Sequence, residues 1–112
     1  MKCYDLDNVE ALLTGVVDVK PVLADNCSVA NIPASLTEVS FLLANSLRRE
    51  VIIHNNSNGD LYIICGGGVT TTNYNWRLKR GDTLSIDSFR GAISGIFTNA
   101  IGFAMVTEYF YT

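Results

Sequence analysis

A chain of 112 residues that is 48% apolar and 17% charged has the size of one domain and can bury a core without metals or disulfides. It is too apolar for intrinsic disorder, and a net charge of −3 with only eight basic residues excludes the electropositive footprint that grips nucleic acid. So low a share of charge leaves apolar surface to spare, which points to an interface with other proteins.

The elements follow in chain order. Residues 1–31 carry sparse apolar residues and are bracketed by Pro21 and Pro33. They are expected either as an N-terminal extended arm that orders on a neighbouring subunit, or as a first strand of the same domain. Residues 7–13 could form a turn or two of helix, and residues 14–22 an extended strand.

From Ser35 onward the text reads as strand, turn, strand, in seven segments rich in Val, Ile, Thr, Phe and Tyr and punctuated by Gly, Asn and Asp. Thr37, Val39, Phe41 and Leu43 alternate with Glu38, Ser40 and Leu42, the period of two of a half-buried strand. Residues 50–54 form the next strand and residues 55–60 (NNSNGD) a tight reversal, with the returning strand at residues 61–65. Tyr74, Trp76 and Leu78 share an apolar face opposite Arg77 and Lys79; Leu84 and Ile86 face inward; residues 91–97 and 103–111 supply the last two strands. Regular strands without a helical stripe predict an all-β, single-domain antiparallel β-sandwich of jelly-roll or immunoglobulin-like type, with the sandwich domain over residues 32–112.

The chemistry-bearing residues point to no catalytic centre. Cys3, Cys27 and Cys65 are widely spaced and share the chain with a single histidine, His54, so no metal site is signalled and reduced, mostly buried thiols are expected. His54 alone at a strand end reads as a structural histidine. The triple glycine at residues 66–68 precedes β-branched residues rather than a helix, which is unlike a phosphate loop. Asp82, Asp87 and Glu108 fall on separate segments, with no spacing that pairs them for acid–base work. The expectation is therefore no enzyme and no cofactor. Candidate interface residues are the basic clusters Arg48, Arg49, Arg77, Lys79 and Arg80 and the aromatic end of the last strand, Tyr109, Phe110 and Tyr111. No apolar h-region follows Met1 and Lys2, and no run approaches the roughly 20 residues of a membrane helix, so neither a signal peptide nor a membrane partner is expected.

The residues 32–35 (IPAS), 42–45 (LLAN), Arg48 and Arg49, 53–57 (IHNNS), 61–63 (LYI), 91–97 (GAISGIF) and 106–108 (VTE) together resemble a group of small β proteins coded by tailed phages and prophages. The resemblance spans residues 32–108, with Phe97 where the group often has Trp. It implies a phage structural protein made in the bacterial host cytoplasm and placed in the virion: a capsid decoration or cement protein, homotrimeric, bound to the major capsid protein on the capsid surface. The alternative is a tail fibre or spike module binding host carbohydrate or receptor through Tyr62, Tyr74 and Trp76. A small hydrolase built on His54 is the remaining rival. The resemblance carries over no catalytic residue; Asn55 is expected to fix the turn, and the arginine pair to meet a carboxylate.

Overall fold

The computed structural model describes residues 24–112; the proposed helical turn at residues 7–13 and the strand at residues 14–22 lie outside the described residues. Eight strands run in chain order: β1 (Asn26–Pro33), β2 (Val39–Leu42), β3 (Arg48–Ser57), β4 (Leu61–Cys65), β5 (Trp76–Leu78), β6 (Thr83–Ile86), β7 (Ile93–Phe97) and β8 (Gly102–Phe110). They form two four-stranded sheets, β1-β8-β3-β6 and β2-β7-β4-β5, with every pairing antiparallel. Apart from the β4–β5 hairpin, successive strands alternate between the sheets, which is the jelly-roll arrangement of the expected β-sandwich.

Alternation of side chains explains why these segments are strands. Along β3, Val51, Ile53, Asn55 and Ser57 are buried while Ile52, His54 and Asn56 face outward. Val51 and Ile53 meet Phe41 of β2, Leu61 and Ile63 of β4, Ile93 and Phe97 of β7, and Ala104 and Val106 of β8 in one core between the sheets. Each side chain of this kind, fully buried, contributes roughly 1.5–3 kcal/mol relative to exposure. Phe41 and Phe97 touch across it with ring centroids 6.0 Å apart.

Several sequence expectations shift in detail. β1 crosses the boundary drawn at residue 31 and pairs along its length with β8, so residues 26–31 belong to the sandwich. The strand around Phe41 is only four residues long, and Leu43, expected on its buried face, is 79% exposed because a bulge between Ser40 and Leu42 shifts the register. Tyr74 precedes β5 and is exposed rather than part of an apolar strand face. In β8 the small residues Ala104 and Val106 enter the core, and the larger Phe103, Met105 and Tyr109 occupy the half-buried outer face.

The reversal after residue 54 does not close the hairpin that the returning strand suggests, because β3 and β4 lie in different sheets and the turn crosses from one to the other; Asn55 fixes that turn. Fully buried, it donates from Nδ2 to the carbonyls of Gly59 (2.9 Å) and Leu78 (3.0 Å) and accepts at Oδ1 from the Ser57 N–H (3.0 Å) and hydroxyl (2.7 Å). All four hydrogen-bonding positions of the amide are thereby used, which offsets its desolvation. At the same end, Gly102 opens β8 with φ of 102°, where a Cβ would lie 2.6 Å from the Asn56 carbonyl oxygen and 2.6 Å from the Ser57 Cα. Both the positive φ and the approach of backbone demand glycine. Gly102→Ala is expected to cost about 1–3 kcal/mol, read as a lower denaturation midpoint with an unchanged slope.

Candidate functional site

At one end of the sandwich β3 begins with Arg48, whose side chain is 1% exposed. Burying an arginine costs several kcal/mol unless each donor is met. Here Nε donates to Glu108 Oε2 at 2.9 Å, Nη1 to the carbonyls of Gly91 (2.8 Å) and Phe89 (3.3 Å), and Nη2 to that of Leu43 (2.7 Å). Asn45 Nδ2 reaches the same carboxylate oxygen at 3.2 Å. One guanidinium therefore ties β3 and β8 to the two loops that lead out of β2 and into β7. The expected pairing of this arginine with a carboxylate is what the structure holds, but Arg48 is withdrawn from the surface and leaves the set of candidate interface residues.

The remaining interface candidates fall in three places. Arg49 lies over the Tyr111 ring with its guanidinium carbon 4.4 Å from the centroid, and Tyr109, Phe110 and Tyr111 are half-buried. Arg77 is exposed and paired with Asp60 at 2.8 Å. The hydrogen bond that Arg77 donates to Asp60, the charge of that carboxylate and the nearby Tyr62 and Tyr74 push the Arg77 pKa up. Lys79 and Arg80 are exposed in the β5–β6 turn. The structure does not gather these residues into one patch. His54 is half-buried, its Nδ1 2.8 Å from the Thr83 hydroxyl across the β3–β6 ladder. Among the described residues no cluster of His, Cys, Asp and Glu has the makings of a metal site.

The two cysteines among the described residues depart from the expected burial; Cys3 lies outside them. Cys27 is exposed, because β1 is an edge strand open on both faces over its first four residues, and Cys65 is half-buried at the end of β4. Burial pushes the Cys65 thiol pKa up, with the Arg48 charge acting in the opposite direction.

What sequence reasoning missed is that edge. β1 holds no charged residue in eight, whereas the other three edges are blunted: β2 is short and bulged beside Glu38, β5 is three residues with Arg77 at its centre, and β6 is flanked by Asp82 and Asp87. The hydrogen bond from the Ala34 N–H to the Gly102 carbonyl (3.0 Å) continues the β1–β8 register and fixes its phase. Asn26, Ser28, Ala30 and Ile32 therefore bond to β8, while Cys27, Val29 and Asn31 turn their backbone groups outward. The Cys27 N–H is taken by the Asn26 side chain at 2.9 Å. Val29, 59% exposed, is left with its side chain and its backbone N–H and C=O on an edge that no described strand covers.

The start of β1 is held by Thr112, just beyond β8. Asp25 accepts at Oδ1 from the Thr112 N–H and at Oδ2 from the Thr112 hydroxyl, both at 2.9 Å.

No family model and no curated protein matches the chain. It is similar to a solved structure described as "Bacillus endospore appendages form a novel family of disulfide-linked pili", with 14% identity, a TM-score of 0.49, and coverage of 89% of this chain and 98% of the other. The expectation of a phage capsid decoration or cement protein, with a tail fibre or spike module as its alternative, is corrected by this finding. The structure matched is a spore appendage protein, and neither a family model nor a curated sequence links the chain to a phage particle.

Two measurements probe this end of the sandwich. Arg48→Ala is expected to destabilise the fold by about 3–5 kcal/mol, because Glu108 loses its cationic partner and three carbonyls lose their donor in a water-poor site; a cost below 1 kcal/mol in chemical denaturation contradicts the account. The Asp25 pKa is lowered by the Thr112 hydroxyl first and the Thr112 N–H second. A carboxylate whose folded pKa is depressed contributes stability that is present above its unfolded pKa and lost as pH falls through the folded one. Amide exchange at Thr112 is therefore expected to quicken on acidification through that folded pKa, relative to the intrinsic rate, and Asp25→Asn to abolish the step.

Proposed function

We propose that this chain is a non-catalytic structural subunit that joins to further copies of itself through the sheet edge that no described strand covers. The observation that carries the reading is β1: an uncharged, eight-residue edge strand with Val29 exposed and its backbone groups turned outward. In a protein that lives as a monomer such an edge is a liability, and the blunting of β2, β5 and β6 shows the usual remedies in use on the same molecule. An unblunted β1 is understood as a strand meant to be paired, its backbone groups supplying affinity and its alternate side chains register.

Geometry limits the products. Pairing of β1 with the β1 of a second copy is isologous and closes at a dimer, whereas pairing with a different edge is heterologous and propagates into a ring or filament. Cys27 is on the same edge as Val29, so a docked copy comes up against an accessible thiol and the joint is open to covalent locking under oxidising conditions. Half-buried Met105 and Tyr109 continue from that edge across the outer face of the sheet, the residue types enriched where proteins meet.

The test is the oligomeric state of the full chain, followed by light scattering and electron microscopy with and without reductant. Val29→Pro removes one outward N–H and none of the bonds to β8, and Val29→Lys adds the charge the edge lacks. Both are expected to keep the β-sheet circular dichroism of the parent and to lose assembly by tenfold or more in midpoint concentration, about 1.4 kcal/mol or more per joint. A parent chain that stays monomeric at every concentration, or variants that assemble as the parent does, would overturn the proposal.

A further inference from the structure

On the sheet opposite β1, the β4–β5 hairpin brings two phenols together. Tyr62 projects from the outer face of β4, half-buried, and Tyr74 reaches back over it from the segment before β5. Their ring centroids are 4.7 Å apart at an interplanar angle of 65°, and Tyr74 is 41% exposed. Arg77, opposite Tyr62 in the β4–β5 ladder, holds its guanidinium carbon 5.9 Å from the Tyr62 centroid while Asp60 anchors it from the far side. The loop that carries Tyr74 is itself fixed: the Asn75 N–H donates to the Ile63 carbonyl at 2.7 Å, and Asn75 Oδ1 accepts from the Cys65 N–H at 2.8 Å. Two oxidisable rings are therefore preset in contact, one of them open to solvent.

We infer that Tyr62 and Tyr74 form a site of oxidative modification, an intrachain dityrosine made by a haem peroxidase with hydrogen peroxide. Each phenol gives up one electron and its hydroxyl proton, and the two tyrosyl radicals join through ring carbons ortho to the oxygens. Each joined carbon then passes its hydrogen back to the ring oxygen, which restores both phenols. The chain loses two hydrogens in all, and one peroxide takes up the two electrons and two protons to leave two waters. Fixed contact is what the coupling needs, since the second radical must be met before the first is quenched by solvent. The new bond staples residues 66–73 to β4 and closes a loop that is otherwise held by hydrogen bonds and the buried Val69 side chain. This inference is independent of the edge proposal and holds for a lone copy as for an assembled one.

The experiment treats the full chain, at a concentration where it is dilute, with horseradish peroxidase and hydrogen peroxide. The tryptic segment of residues 50–77, which contains both tyrosines, is expected to lose the mass of two hydrogens and to gain dityrosine fluorescence. Tyr74→Phe and Tyr62→Phe keep both rings in place and are each expected to lose the signal from that segment. The inference is overturned if the segment keeps its mass while other tyrosines react, if the product survives undiminished in Tyr74→Phe, or if residues 62 and 74 couple only between chains.

Discussion

The sandwich depends on a cation placed where cations are costly. Arg48 stands at the first position of β3, at the point where both sheets and two loops converge, and every direction its guanidinium points is answered by an oxygen: one carboxylate and three backbone carbonyls. An apolar residue of the same volume would fill the space and leave the carbonyls of Leu43, Phe89 and Gly91 without donors. The loops on either side of β2 and β7 carry no regular pairing of their own there, so the arginine serves them as a ladder serves a strand. Glu108 completes the node from β8 and is 12% exposed, enough to keep one side of the carboxylate near water. The opposite end of the molecule is organised by a neutral counterpart, Asn55, which gathers the inter-sheet turn after β3 and the end of β5 around one buried amide. Between these two polar anchors the core is purely apolar, and register is settled at both ends rather than in the middle.

Much of this fold is legible in the residues, and the reasons are local. Segments β2 to β8 announce themselves because a half-buried strand must alternate, and the tight reversal at residues 58–60 because backbone of that shape selects Asn, Gly and Asp. β1 is harder to see for the same physics: an edge strand exposed over its first four residues has nothing to alternate, and the sequence NCSVANIP looks like a linker. Arg48 reads as surface in any sequence, since three of its partners are carbonyls, which have no signature, and the fourth is sixty residues away. Leu43 and Tyr74 were placed by period alone, and a bulge and a strand only three residues long undo that.

The misdirected role has a structural explanation as well. Most residues that carry the phage resemblance are fold residues: Arg48 and Asn55 are the two buried anchors, Ile53, Leu61, Ile93 and Phe97 are core, and Gly95 gives way to the Phe41 ring, which a Cβ there would approach to 2.6 Å. Such positions specify a jelly roll and are indifferent to what the jelly roll is for. The surfaces that distinguish one use from another, here an uncharged edge and a tyrosine pair, lie on β1 and on the loop before β5, where pattern-based reading has least purchase.

The grip of Asp25 on Thr112 sets the two extremities of the sandwich side by side. A peptide bridge of a few residues could splice residue 112 to residue 24 without disturbing either ladder of β8, and the chain could then be reopened in the exposed threonine stretch at residues 70–72. The architecture is in this sense cyclic, and its connectivity is open to rewiring.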